Sequence, residues 1–238
     1  MFLEAFPFFS VETVTEVQRR GLLSFPSHGL WRYGDDHNGS TRSLNGRKYI
    51  RADNRGEAWH RLIGLRDVVD NARRNVIFVL EGSKDALAAF EFAHRAGIML
   101  QVGVVVALGT GYRPITGELL QLRGRRVFII GDRDRAGIES VGRISKALAQ
   151  EGIDHVALNW NSFPTDGAKD LFDLLRLCDG NIEKFGHFQF LSVNSFFPSP
   201  SLPQSSQSSQ SSQEMVHGTD LDRFYTPGRY PATPYLRG

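Results

Sequence analysis

Two apolar runs, Val76-Ile77-Phe78-Val79-Leu80 and Val127-Phe128-Ile129-Ile130, interrupt an otherwise mixed chain, and each ends in a glycine-bearing turn that carries acids. Continuous apolar runs of this length, bounded by turn residues, mark strands buried on both faces, as in a parallel sheet. Helical spacing follows each run. The pattern therefore predicts strand Val76–Leu80 with helix Ser83–Ala96, and strand Arg126–Ile130 with helix Ala136–Glu151. Ser83 is expected to cap the first helix, and Gly152 suits the C-terminus of the second. Strands Val102–Ala107 and Ile153–Leu158, a short helix Ile115–Leu122 behind Pro114, and a last helix Asp170–Leu177 complete the map. Alternating units of this kind indicate an α/β domain. Its centre is a parallel sheet of about four strands, flanked by helices reached through right-handed crossovers.

Ligands of open α/β sheets sit beyond the carboxyl ends of the strands. Asp132 and Asp134 stand there, one residue apart, directly after one strand. Glu81 leaves the tip of the other, and Asp85 falls in the first turn of the next helix, where the dipole favours negative charge. These acids meet only if the two strands are near neighbours in one sheet. With no Cys or His alongside, the donor set is hard and oxygen-rich, suited to Mg²⁺ or Mn²⁺ and not to zinc. Gathered carboxylates repel one another and hold protons more tightly, and a bound cation relieves that cost.

The segment Glu81-Gly82-Ser83-Lys84-Asp85-Ala86-Leu87 resembles the first Toprim motif, a Glu followed by Gly with Asp at the fifth position. Asp132-Arg133-Asp134-Arg135-Ala136-Gly137 resembles the second, and its Ala-Gly ending is similar to the primase branch of that superfamily. Val104-Val105-Val106-Ala107-Leu108-Gly109-Thr110-Gly111 resembles the middle strand and turn of bacterial-type and phage primases, a turn whose amides are candidates to approach a phosphate. Lys169-Asp170-Leu171-Phe172-Asp173 resembles the element that closes the primase Toprim domain. The resemblance implies a Toprim fold with Glu81, Asp132 and Asp134 as catalytic acids. Glu81, Asp85, Asp132, Asp134 and Asp170 are then the candidate metal ligands, with Mg²⁺ or Mn²⁺ bound as two ions about 3.5 to 4 Å apart. Glu81, Asp132 and Asp134 are expected to suffice, with Asp85 and Asp170 as further or outer partners. Lys84, Lys169 and Arg135 are the candidates for nucleotide or phosphate contacts. The activity implied is nucleotidyl transfer that makes short RNA primers from NTPs on a single-stranded DNA template. A Toprim nuclease and a non-catalytic nucleic-acid-binding module are the competing readings.

The net charge of +2 conceals an asymmetry: residues 19 to 75 carry 12 Lys/Arg against 6 Asp/Glu, whereas residues 76 to 178 carry 12 of each. A basic N-terminal segment beside an acidic metal motif points to a polyanionic partner. Within it, Trp31, Tyr33 and Tyr49 alternate with Arg32, Arg47, Lys48 and Arg51. Either the aromatics stack on unpaired bases while the cations follow phosphates, or they pack inward from a short β-meander. Turn signals at Gly34-Asp35-Asp36, Asn38-Gly39 and Asn45-Gly46 suit hairpins in both cases.

The single cysteine, Cys178, leaves no thiolate zinc cluster and no internal disulfide. Neither the zinc module that accompanies replicative primases nor a Walker-type loop is expected here, so template reading or unwinding is expected to come from a helicase or another replication protein. No apolar run reaches the roughly 18 to 20 residues of a membrane span. The expected location is cytoplasmic, with nucleic acid. The expected organisation is a basic α+β extension over 1–75, a Toprim domain over 76–178, a closing segment over 179–193, and a disordered Ser/Gln/Pro-rich tail over 194–238. Within that tail, Arg223-Phe224-Tyr225-Thr226-Pro227 is either a short docking segment on a flexible tether or a frayed end.

Overall fold

The computed structural model describes residues 1–36, 38–45, 61–108, 111–158, 160 and 167–178, together with the backbone of 51–52 and 224–225. Two helices, α1 (Phe2–Ala5) and α2 (Val11–Arg19), lead into an antiparallel meander of β1 (Leu23–Ser24), β2 (Leu30–Gly34), β3 (Gly39–Ser43) and β4 (Arg51–Ala52). A short helix, α3 (Leu65–Val69), precedes the α/β unit. That unit runs β5 (Val76–Leu80), α4 (Ser83–Arg95), β6 (Val102–Val106), α5 (Thr116–Leu119), β7 (Arg126–Ile130), α6 (Arg135–Gln150), β8 (His155–Leu158) and α7 (Leu171–Leu177). The backbone of β9 (Phe224–Tyr225) pairs antiparallel with β8, so part of the segment expected to be disordered adds a strand to the sheet edge.

The strand order is β6-β5-β7-β8-β9, with the first four parallel. Every residue of β5 and β6 is buried, as their unbroken apolar sequences require. Counting the 3₁₀ turn Leu120–Leu122 that continues α5, helix bounds shift by one residue from the sequence expectation, which is the usual latitude at helix ends. One difference is chemical. Gly82, not Ser83, occupies the N-cap of α4, and Ser83 opens the helix with its hydroxyl free for another partner.

Residues 1–20 are bound into the same core as the α/β unit. Phe2, Phe8, Phe9, Val14 and Val17 join one hydrophobic cluster with Trp31, Phe90 and Phe172. Ser10 caps α2 through Thr13 N at 3.2 Å, while Glu91 of α4, fully buried, accepts from Ser10 N at 2.8 Å and Ser10 Oγ at 2.9 Å. The negative charge of Glu91 is met by Arg95 Nε at 2.6 Å. At the other end of α2, the buried Arg20 guanidinium donates to Met99 O (2.6 Å) and Val102 O (2.8 Å) and pairs with Glu16 and Asp67. It also lies 4.8 Å from the Phe90 ring centroid. A buried charge of this kind costs several kcal/mol if its partners are removed, so the network ties α2 to the strand edge at β6.

Bonds from Arg19 and Arg20 hold the Glu16 carboxyl down to about 2 from its ordinary 4.5, against the opposing effect of burial. The folded chain therefore binds this proton less readily than the unfolded chain. The stabilisation is complete above a pH of about 4.5 and is lost as the pH falls towards 2. Urea unfolding is expected to show wild type more stable than Glu16→Gln near neutral pH, with the difference shrinking below a pH of about 4.5.

Candidate metal and phosphate site

Register brings the two motifs together. Leu80 lies opposite Ile130 in adjacent parallel strands, so Glu81 and the Gly131-Asp132 turn leave the sheet at the same level. Asp85 projects from the first turn of α4, and Asp170 is the N-cap of α7, accepting from Asp173 N at 2.6 Å. One carboxylate oxygen each from Asp85, Asp132 and Asp170 lies within 4.8 Å of the others.

Glycines permit this crowding. A Cβ on Gly137 would overlap the backbone of Asp132, and one on Gly82 would overlap the Asp85 carboxylate. The glycines of both motifs thus leave room for the acids themselves. The turn after β7 is pinned from two sides: Trp160 Nε1 donates to Gly131 O at 2.7 Å, and Arg133 N donates to Lys169 O at 2.6 Å. That second bond sets Asp170 beside Asp132.

The trio expected from sequence to suffice, Glu81, Asp132 and Asp134, is not the trio whose oxygens converge among the described residues. Asp134 is exposed and caps α6, accepting from Gly137 N at 2.8 Å. Glu81 is buried, with Oε1 lacking a hydrogen-bond partner; Ser140 lies close, but its hydroxyl also closes no full bond. Asp85 and Asp170, expected as further ligands or outer partners, stand in the cluster with Asp132. Burial, then the charges of Asp170 and Asp132, push the Asp85 carboxyl well above its ordinary range. Burial also raises Asp170, and it raises Glu81, to which the Asp134 charge adds.

Arg42 of β3 was not anticipated. Its Nε donates to Ser83 Oγ at 2.9 Å, and the carboxylates of Asp85, Asp170 and Asp132 act on its half-buried guanidinium. Lys84 lies beside it, its Nζ 4.6 Å from the centroid of the Phe172 ring. Burial and then the Arg42 charge lower the Lys84 ammonium. Two cations thus stand over three acids. The sequence signal for Arg42 was only its place in a basic, turn-rich segment.

The remaining expected contacts separate. Trp31 and Tyr33 are 1% and 0% exposed, so these rings pack inward as a β-meander requires and do not stack on bases. Arg32 turns back onto its own hairpin, donating to Asp35 O at 2.7 Å. Arg135 lies along α6, paired with Glu139 at 3.0 Å, and Lys169 is exposed. Arg47, Lys48, Tyr49 and the Gly109-Thr110 turn lie outside the described residues, and Arg51 is described by backbone alone.

The donor set fits a divalent cation. Oxygens bound to Mg²⁺ at about 2.1 Å lie at most about 4.2 Å apart, so about half an ångström of side-chain movement closes the cluster into a ligand set. The orphaned Glu81 oxygen is a further hard donor at the same sheet edge.

The α/β unit has the Toprim fold. Residues 78–175 match a family model described as Toprim-like. A search of curated protein sequences finds no match. Similar solved structures include the DnaG primase catalytic domain bound to ssDNA, at 20% identity and TM-score 0.46 over 79% of this chain and 59% of that one. A DNA primase domain from Pseudomonas aeruginosa gives 19% and 0.44 over 68% and 54%. The primase fragment of the bacteriophage T7 primase-helicase protein gives 17% and 0.43 over 74% and 68%. The chain spans less than two thirds of the length of the first two. No helix among the described residues is long and apolar enough to cross a membrane.

Replacing Asp85 by its uncharged isostere removes a buried, mutually repelled charge while keeping an acceptor for Phe172 N. Asp85→Asn is expected to melt at a higher temperature than wild type in EDTA. It is also expected to lose the gain that Mn²⁺ gives wild type, a gain of about 2.7 kcal/mol at a hundredfold excess over Kd. Thermal scans with and without the ion measure both.

Proposed function

We propose that the chain is a primase-like nucleotidyltransferase, joining nucleotides on single-stranded DNA with the help of Mg²⁺ or Mn²⁺. The observation that carries this reading is the meeting of Asp85, Asp132 and Asp170 beneath Arg42 and Lys84. Asp85, Asp132 and Asp170 would hold the ions, with Glu81 at the same sheet edge and Asp134 capping α6. A bound divalent cation supplies neutralisation of phosphoryl charge and activation of the attacking oxygen.

The chain's own residues do the rest. Arg42 and Lys84 meet a triphosphate, a ligand with enough negative charge to satisfy two cations beside a metal. The reaction forms one P–O bond between a 3′-hydroxyl and the α-phosphorus, breaks the α–β bridge, and releases pyrophosphate. In this reading Glu81, a buried carboxylate at the sheet edge with raised proton affinity, takes the hydroxyl proton. The Ala136-Gly137 and Lys169-to-Asp173 elements support the primase reading over a nuclease. A helicase or template-reading partner is part of this proposal, as is action wherever replicating nucleic acid is found.

Incubation with single-stranded DNA, labelled NTPs and Mg²⁺ or Mn²⁺ is expected to give extension products that vanish with Asp132→Ala. Shortened substrate without extension would identify a nuclease, and binding without either product a non-catalytic module. Arg42→Ala is expected to raise the KM for NTP at least about tenfold, since a hydrogen bond to a charged group contributes about 1.5 to 3 kcal/mol.

A further inference from the structure

The three clustered acids are held by different parts of the fold. Asp85 and Asp132 belong to elements fixed by the sheet: α4 follows β5 directly, and Asp132 follows β7. Asp170 belongs to α7, a helix of only 7 residues outside the sheet. The Arg133 N to Lys169 O bond sets Asp170 beside Asp132, and other contacts must hold α7 against Asp85.

Phe172 stands at that junction. Its backbone N donates to Asp85 Oδ1 at 3.1 Å, tying the first turn of α7 to one acid of the cluster. Its ring, 7% exposed, carries the Lys84 ammonium 4.6 Å from its centroid. The ring also sits in a cup of N-terminal aromatics. Phe8 meets it edge-on at 5.3 Å and 76°, Phe6 at 5.8 Å and 84°, and Phe9 at 6.2 Å and 47°. The cup is anchored to α4 in turn: Arg95 Nη2 donates to Phe8 O at 3.3 Å, and Ser10 is held by Glu91. A chain of direct contacts thus runs from the N-terminal segment through Phe172 to Asp85, Asp170 and Lys84.

We propose that Phe172, gripped by Phe6, Phe8 and Phe9, is a positioning residue that sets Asp170 and Lys84 against Asp85 and Asp132, which makes the N-terminal segment part of the cation site without supplying a ligand. The proposal rests on the metal reading above. Edge-to-face aromatic pairs fix angle as well as distance. An aliphatic side chain of similar bulk leaves α7 packed, but with freedom to tilt and without a face for the Lys84 cation. Supporting residues around a metal site change affinity by about 10- to 100-fold when altered, through geometry alone.

The test is Mn²⁺ binding by the full chain, followed by loss of the free-ion paramagnetic resonance signal, so it requires no turnover. Wild type is expected to bind, Asp132→Asn to lose binding, and Phe172→Leu to bind about tenfold more weakly. Phe78→Leu, which removes a buried ring of β5 that packs on Phe128, is expected to lower thermal stability and leave Mn²⁺ affinity unchanged. Phe8→Leu removes one wall of the cup and is expected to weaken binding in the same direction, which keeps the test open if Phe172→Leu does not fold. Unchanged affinity in the Phe172 and Phe8 variants, or an equal loss in Phe78→Leu, overturns the positioning role while leaving the metal reading intact. Failure of the wild-type chain to bind Mn²⁺ overturns the metal reading, and the positioning role falls with it.

Discussion

Parallel pairing of β5 with β7, in a register that sets Leu80 opposite Ile130, is the constraint from which the site follows. Two strands that end level deliver their following turns to one edge, and the turns carry the acids. A slip of a single residue would send every side chain of a strand to the opposite face of the sheet and offset the two acidic turns. The core therefore enforces a geometry that the acids would not choose for themselves. Asp85, raised by burial and by two neighbouring carboxylates, stores the cost.

That cost is distributed over bonds that serve the fold and the site together. Asp170 caps α7, Asp134 caps α6, and Asp85 receives the Phe172 amide. Asp134 is exposed and caps α6, and its carboxylate is not among the three whose oxygens converge. The glycines that follow or precede the acids are explained by the same crowding, since a Cβ at Gly82 or Gly137 would occupy space that the acids use.

The N-terminal segment is the less expected partner in this arrangement. Its helix α2 is fastened by buried guanidinium and carboxylate groups, and its phenylalanines close over α7. The meander beyond it contributes Arg42, held by Ser83 from the first motif. A residue expected to cap a helix thereby serves to aim a cation at the acids, and Gly82 takes the cap position instead.

The apolar runs, the helical spacing behind them and the glycine-bearing acidic turns made the four parallel strands and the Toprim motifs readable from the chain, because buried strands and tight turns impose local composition. The sequence also marked Asp85, Asp132 and Asp170 as acids of one site. Local pattern carried no such information about which oxygens converge. That depended on where each turn sets its carboxylate, and on the placement of α7 by contacts about 160 residues away in the chain. Nor could alternation in residues 31 to 33 distinguish rings that stack on bases from rings that fill a core. Only the third dimension buried Trp31 and Tyr33 and brought Arg42 over the acids, since burial and facing charge are properties of what packs opposite, not of the strand itself.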